Sequence, residues 1–330
     1  MLLKKLTSLP GVSGCEDSVR KFIASHFDKE NTHIDCMGNL LVGSRGEGKK
    51  IMLAAHMDEV GLIISEICDN GFLKFKTVGG VSAEVLTGKR VLIGDTPVPG
   101  IIGVRAVHLQ KKEERETPLL EKQLYIDIGA ENKEEAQKMV SLGECAVFDT
   151  PFTPFGSNLV CAKALDDRAG CAIMLEIAKM QSDKNLCFAF TTQEEVGCRG
   201  ARAAAEYLKP DIALIIESTI CTDFHKTKPH QEITTMGQGP VITFYDRAAI
   251  PDRGVMDSLV NAAKEHGIPW QYKRTTMGGT DAGAISRSGE GIPTAVIALP
   301  CRNLHSPSTV ISLDDYENAI KLIKEWVLNF

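Results

Sequence analysis

The sequence predicts an α/β protein: a mixed β-sheet sandwiched by helices and interrupted by a small inserted β-rich domain. Three observations predict it. Continuous apolar runs such as Ile51–Ala55 and Leu186–Phe190 have the length and character of strands buried on both faces. Helical patterns alternate with such runs from Val160 to the C-terminus. Between about Glu66 and Thr153 that alternation gives way to short β-like pieces and glycine-rich turns.

Taken in order, Ser13 to Phe27 reads as an amphipathic helix. It has a serine cap, early acids at Glu16 and Asp17, and Val19, Phe22, Ile23 and Phe27 on one face. Asn39 to Val42 is a short strand, Gly43 to Lys50 a polar turn, and Ile51–Ala55 a buried strand. In the insert, strands are expected at Phe72–Val78, Arg90–Ile93, Gly100–Val107, Gln123–Ile128 and Glu144–Phe148. Asn132–Leu142 looks helical, and Lys111–Glu116 is a charged loop.

After the insert come a helix at Asp167–Met180, a strand at Asn185–Thr191 and a helix at Gly200–Leu208. A strand at Ile212–Ile216 ends in Glu217, and further strands are expected at Val241–Tyr245, Trp270–Thr275 and Thr294–Leu299. Helices are expected at Val255–His266, from Thr280, and at Leu313–Asn329. The predicted organisation is a discontinuous domain, residues 1–66 with 157–330, around an insert at 67–156.

Length and composition set the outer limits. A chain of 330 residues suffices for a large core and, by length, about two domains. Hydrophobic content of 43% and charged content of 24% are ordinary for a soluble protein. The net charge of −6 argues against a nucleic-acid or anionic-membrane partner. Lys4 and Lys5 precede only a short run broken by Pro10, unlike a signal peptide. No apolar stretch approaches the roughly 20 residues of a membrane span. The ten cysteines stand singly with no Cys-x-x-Cys pair, so neither a disulfide framework nor a thiolate zinc site is indicated. The expectation is a reduced, cytoplasmic protein.

Polar residues gather where strands end. His56 and Asp58 follow Ile51–Ala55, Asp166 follows Val160, Glu194 and Glu195 follow Leu186–Phe190, Glu217 follows Ile212–Ile216, and His305 follows Thr294–Leu299. Carboxyl ends of strands are where open α/β sheets place their ligands. Adjacent side chains on extended backbone diverge, so Glu194 and Glu195 suit two roles, one binding a cation and one handling a proton. Taken alone, the pair also fits a solvated helix N-terminus, and either histidine fits a surface or capping role. Jointly, two imidazoles and several carboxylates suit zinc, cobalt or manganese. The acids outnumber the needs of one tetrahedral ion, which suggests two ions bridged by a carboxylate.

Four motifs carry a resemblance. His56-x-Asp58-Glu59-x-Gly61, Ala164-Leu165-Asp166-Asp167-Arg168-x-Gly170, Gln193-Glu194-Glu195-x-Gly197 and His305-Ser306-Pro307 resemble the tetrahedral-aminopeptidase and glutamyl-aminopeptidase family of dinuclear metallopeptidases. The resemblance spans nearly the whole chain. It includes Val78-Gly79-Gly80, Gly103-Val104, His108-Leu109 and Tyr125–Ala130 in the insert.

It implies a zinc-exopeptidase-like sandwich with a barrel-like or PDZ-like insert. His56 and Glu217 would hold one ion, Glu195 and His305 a second, and Asp166 would bridge them. Glu194 would be the general base and acid, and Asp58 would accept the far N–H of His56. The resemblance also implies a cis peptide between Asp166 and Asp167, peptide substrates, and a dodecamer built from dimers through the insert. Two positions depart from the pattern: Glu217 stands where the family more often has Asp, and Thr309 where many members have Glu.

Other features remain open. His108 reads as a structural residue on a strand of the insert, although in such a family it would approach a neighbouring subunit's site. Gly278-Gly279-Thr280-Asp281 resembles a family loop near the substrate, and equally fits Thr280 capping a helix. Cys198 has no recognisable histidine partner for thiol chemistry. Paired carboxylates would also suit a glycoside hydrolase, but two Trp and five Tyr offer few sugar-stacking platforms, and the histidines would have no role. A non-catalytic binding protein on this scaffold would be expected to lack Glu194 or a ligand.

Overall fold

The computed structural model describes residues 1–43, 46–110, 112 and 116–330. Ser44 and Arg45 of the expected polar turn lie outside the described residues, as do Lys111, Glu113, Glu114 and Arg115 of the expected charged loop.

Along the chain, α1 (Leu2–Ser8) and α2 (Asp17–Ala24) precede β1 (Thr32–Ile34), β2 (Leu40–Val42) and β3 (Glu47–His56). Strands β4 (Gly61–Ile67), β5 (Leu73–Val78), β6 (Arg90–Ile93), β7 (Val98–Val104) and β8 (Leu124–Asp127) follow, then α3 (Lys133–Met139) and β9 (Cys145–Phe148). The hairpin β10 (Thr153–Phe155) and β11 (Leu159–Ala162) leads to α4 (Leu165–Ala178), β12 (Lys184–Thr191), α5 (Ala201–Leu208) and β13 (Ile212–Ile220). The chain closes with β14 (Val241–Thr243), α6 (Arg253–Glu265), β15 (Gln271–Tyr272), α7 (Ala282–Ile285), β16 (Thr294–Cys301), β17 (Thr309–Ser312) and α8 (Leu313–Asn329).

The large sheet has the order β1-β2-β12-β3-β13-β16-β14-β15. Its centre, β12-β3-β13-β16, is parallel throughout. Alternate residues of these strands enter different cores. Leu53, Phe188, Leu214 and Ile297 pack under α1, α2, α4, α6 and α8, while Met52, Cys187, Ala213 and Val296 pack under α5 and α7. Burial on both faces is why these strands read as unbroken apolar runs.

Residues between Gly61 and Phe148 close a six-stranded barrel, β4-β5-β8-β7-β6-β9, in which every pairing is antiparallel. Its core comes from Leu62, Ile64, Phe75, Val91, Ile102, Ile126 and Phe148. Closure leaves no strand edge in it unpaired.

Several boundaries differ from expectation. β3 starts at Glu47, because the polar half of the supposed turn pairs with Lys184 at the sheet's end. β4 was not anticipated, although it pairs with both β5 and β9. The helix expected from Ser13 starts at Asp17, and the Ser13 hydroxyl bonds elsewhere. Glu217 lies inside β13 instead of at its end. Strands β14 and β15 are shorter than read.

The expectation of unpaired cysteines is corrected at one pair. Cys15 and Cys145 form a disulfide across 130 residues, joining the segment before α2 to barrel strand β9. Spacing in the sequence carries no signal for a bridge that long. No helix among the described residues is long and apolar enough to cross a membrane.

Candidate metal centre and active site

The site forms at the carboxyl ends of the parallel strands. His56 is the last residue of β3 and sits in register with Thr191, the last of β12, so the loop after β12 carries Glu194 and Glu195 to the same rim. Glu217 arrives from β13 and His305 from the loop between β16 and β17. Asp166 arrives from the start of α4, where its φ of −86° and ψ of 109° break the helical pattern and the peptide to Asp167 is cis.

These side chains converge. His56 Nε2 lies 3.5 Å from Asp166 Oδ1 and 3.6 Å from Glu217 Oε2. His305 Nε2 lies 3.5 Å from Asp166 Oδ2 and 3.3 Å from Glu195 Oε2. One oxygen of Asp166 therefore faces each imidazole. Buried carboxylate oxygens ordinarily have partners, yet Asp166 Oδ1 and Glu195 Oε1 are buried without a hydrogen bond. Ligand atoms around a zinc-sized ion, with bonds of roughly 2.0–2.2 Å, stand about 3.3–3.6 Å apart. The donors fit divalent cations in separation, in chemistry and in their unmet oxygens.

Asp58 organises the rim from behind. His56 Nδ1 is 3.1 Å from the Asp58 carbonyl oxygen and 3.4 Å from its carboxylate, so the backbone oxygen is closer than the expected carboxylate. The carboxylate accepts the backbone N–H of Glu194 at 3.0 Å, that of Glu195 at 3.1 Å and the Ser13 hydroxyl at 2.6 Å. Burial disfavours its charge, but His56 and these donors outweigh burial and hold Asp58 below the usual carboxylate range.

The electrostatics are those of crowded, buried acids. Burial first, then the charge of Glu217, raises Glu194 well above an ordinary glutamate. Burial and the neighbouring Asp166 push Glu195 up to about 8. Burial works against the His305 cation, yet Asp166 and Glu195 lift it to about 9. Facing acids and imidazoles with perturbed protonation mark functional sites.

Several participants were not assigned a role from the sequence. Asp167 is fully buried, and one oxygen accepts the Gly170 amide while the other has no partner. It groups with His56 and Glu217 closely enough for all three to share an ion. Beneath the site, buried Glu59 receives Lys163 Nζ at 2.7 and 2.9 Å and Arg168 at 3.2 Å. Arg168 also donates to the carbonyls of Met57, Leu6, Leu9 and Gly11, which fixes the N-terminal segment under the candidate site. Only their places within the Asp58-Glu59 and Asp166–Arg168 motifs hinted at this.

The barrel reaches the site through Gly79 and Gly80. A Cβ at Gly79, where φ is +81°, would stand 3.4 Å from Glu195 Cβ, and one at Gly80 would stand 3.1 Å from His305 Nδ1. Thr309 is buried, and its hydroxyl donates to the Ala162 carbonyl at 2.8 Å, a structural role. Asp281 is buried, with Oδ2 accepting the Thr191 hydroxyl, and Thr280 Oγ1 accepts the Ala282 amide at 3.3 Å. His108 lies in a short turn after β7, not on a strand.

Comparison with known proteins decides the family. The sequence profile of the M42 glutamyl aminopeptidases matches residues 38–322. The chain belongs to the M42 glutamyl aminopeptidase family. A provisionally named aminopeptidase of Acetivibrio thermocellus is 40% identical over 328 residues, 98% of this chain and 97% of its own. Among solved structures, an aminopeptidase of the archaeon Desulfurococcus kamchatkensis superposes with a TM-score of 0.94 at 37% identity, covering 100% of this chain and 94% of that one. The TET1 peptidase of Pyrococcus horikoshii, described as assembling into a tetrahedron or a large octahedral shell, gives 0.88 at 35% identity over 99% of this chain and 98% of its own.

A structure from Thermotoga maritima titled endoglucanase has the same fold, with a TM-score of 0.82 at 35% identity over 100% of this chain and 97% of that one. Its title does not outweigh the profile match and the aminopeptidase relatives, so this M42 chain is a peptide hydrolase. M42 peptidases are metallopeptidases, in keeping with the groups of imidazoles and carboxylates assembled here.

Proposed function

We propose that this chain is a dinuclear metalloaminopeptidase that releases N-terminal residues from peptides. One observation carries the dinuclear reading: Asp166 presents Oδ1 to His56 and Oδ2 to His305. His56 and Glu217 would hold one ion and Glu195 and His305 the other, with Asp166 between. Zinc, cobalt and manganese all suit these ligands. Bound there, the ions supply Lewis acidity, polarising a carbonyl and lowering the pKa of a water.

The chain's own residues supply the rest. Glu194 takes the proton of the attacking water and later delivers it to the leaving amine. Its carboxyl, raised by burial and by Glu217, is suited to hold that proton between the two steps. Asp58 fixes His56 and both glutamate amides, so base and ligand keep their separation during turnover. The rim's excess of carboxylates receives a free α-amino group, which restricts cleavage to N-terminal residues. We place the enzyme in the cytoplasm and its assembly, by likeness to the TET1 shells, in a dodecamer of dimers joined through the barrel.

The test is hydrolysis of a panel of aminoacyl and acyl-blocked chromogenic amides, with and without chelator and with cobalt, manganese or zinc restored. The expected result is cleavage of free aminoacyl amides only, abolished by chelator and recovered with metal. Cleavage of polysaccharide that survives chelation, with no peptide activity, overturns the reading.

A further inference from the structure

Cys198 stands four residues beyond Glu194 and has no part in the proposed reaction. Its N–H donates to the Glu194 carbonyl at 2.9 Å, and a φ of +52° turns its side chain back. The thiol thereby reaches Glu194 Oε1 at 3.3 Å. A third group comes from a distant part of the chain. Asp281 is 1% exposed, its Oδ2 accepts the Thr191 hydroxyl at 2.6 Å, and its Oδ1 is buried with no partner. One donor atom from each of Glu194, Cys198 and Asp281 lies within 4.8 Å of the others.

We propose that Glu194, Cys198 and Asp281 form an inhibitory site for a sulfur-preferring divalent cation such as zinc, beside the proposed metal pair and sharing Glu194 with the reaction centre. Inhibition rests on the reading of Glu194 as base and acid, because a cation held there removes its carboxylate from proton transfer. Ligand atoms about 3.3–3.8 Å apart suit tetrahedral zinc with bonds of roughly 2.0–2.3 Å, so small side-chain rotations close the triangle. The fourth position is left to water. As the bond from sulfur to metal forms, the S–H bond breaks and its proton leaves to solvent, with no change of oxidation state. A thiolate selects zinc or cobalt over manganese. Excess zinc should therefore inhibit where excess manganese does not.

Sulfur makes the site separately visible, because none of the five donors at the main centre is a thiol. Cobalt is titrated into the full-length enzyme and into Cys198→Ser and Cys198→Ala. Metal content, the near-ultraviolet sulfur-to-cobalt charge-transfer band and turnover are followed together. The wild type is expected to bind cobalt beyond the plateau of either variant and to develop the band. Both variants should lose the band, and zinc inhibition of each is read against its own basal rate. Their inhibition by excess zinc should weaken by about tenfold or more, the usual effect of a lost metal-site partner. No band in the wild type, or equal zinc inhibition in all three proteins, overturns the site. A band with undiminished turnover upholds the cation site and overturns the role of Glu194 instead.

Discussion

The Asp58 carboxylate accepts the backbone N–H of Glu194 at 3.0 Å, reaching across from the end of the neighbouring strand β3. Its other oxygen does the same for Glu195 at 3.1 Å, so one side chain next to β3 fixes the glutamate pair after β12. Asp58→Asn replaces one accepting oxygen with an NH₂ that meets a backbone donor. We expect turnover and metal affinity to fall about 10–100-fold, the range for such supporting partners. Unchanged metal content and kcat in this variant would remove Asp58 from the site.

The two glutamates should fail differently. Glu194→Gln keeps its shape but takes no proton, so it should retain metal and lose about 10²–10⁴ in kcat. Glu195→Gln weakens one ion, and its activity should return in part with excess metal. Metal content by mass spectrometry, read beside kcat, checks both. Metal lost from Glu194→Gln and kept in Glu195→Gln reverses the assignment.

Metal affinity should climb with pH. In the ion-free protein Asp166 and Glu195 hold the His305 proton up to about 9. A ligand imidazole must be neutral, so binding below that pH displaces a proton. Affinity then rises from neutral pH toward 9 and levels off above it. Chelator competition across that range measures the slope, and His305→Asn should flatten it. A slope unchanged in that variant assigns the proton elsewhere.

Arg168 should be a stability residue. It is fully buried and donates to Glu59 and to four backbone carbonyls. Arg168→Met leaves Glu59 with Lys163 alone and takes one donor from each of those carbonyls. Breaking a buried pair from one side costs about 3–5 kcal/mol. Urea melts of chelated wild type and variant test this, and a loss below about 1 kcal/mol contradicts it.

Assembly should run through the barrel. Ile101, Val107 and Leu109 are large apolar side chains more than half exposed there. Apolar surface of this kind marks association faces. Light scattering is expected to find a large oligomer, and Val107→Asp with Leu109→Asp to shrink it without unfolding the barrel core. Fully active monomer at working concentration would refute this.

The strands were legible because burial on both faces leaves a continuous apolar run, as in Ile51–Ala55 and Leu186–Phe190. The candidate site was legible because polar residues interrupt those runs at the sheet's rim. What stayed hidden depends on contacts between distant segments. β4 mixes Gly61, Ser65 and Glu66 with apolar residues and becomes a strand only by pairing on both sides with β5 and β9. Ser13 looked like a helix cap until the fold placed Asp58 opposite its hydroxyl. Cys15 and Cys145 are brought together by the tertiary fold across 130 residues of sequence.

The two glycines at the end of β5 have a further consequence. Gly80 leaves just enough room for the His305 ring, and a side chain at Gly79 would collide with Val60 at 2.7 Å, next to Glu195. The barrel is therefore a wall of the reaction chamber, and the centre lies along a seam between two separately folded cores. A shortened enzyme stripped of the barrel would lose the backing of two of its five proposed ligands. A barrel transplanted from another protein would need this two-glycine surface to seat. Any force that neighbouring subunits exert on the barrel also reaches His305 and Glu195 directly, without a relay through the sheet.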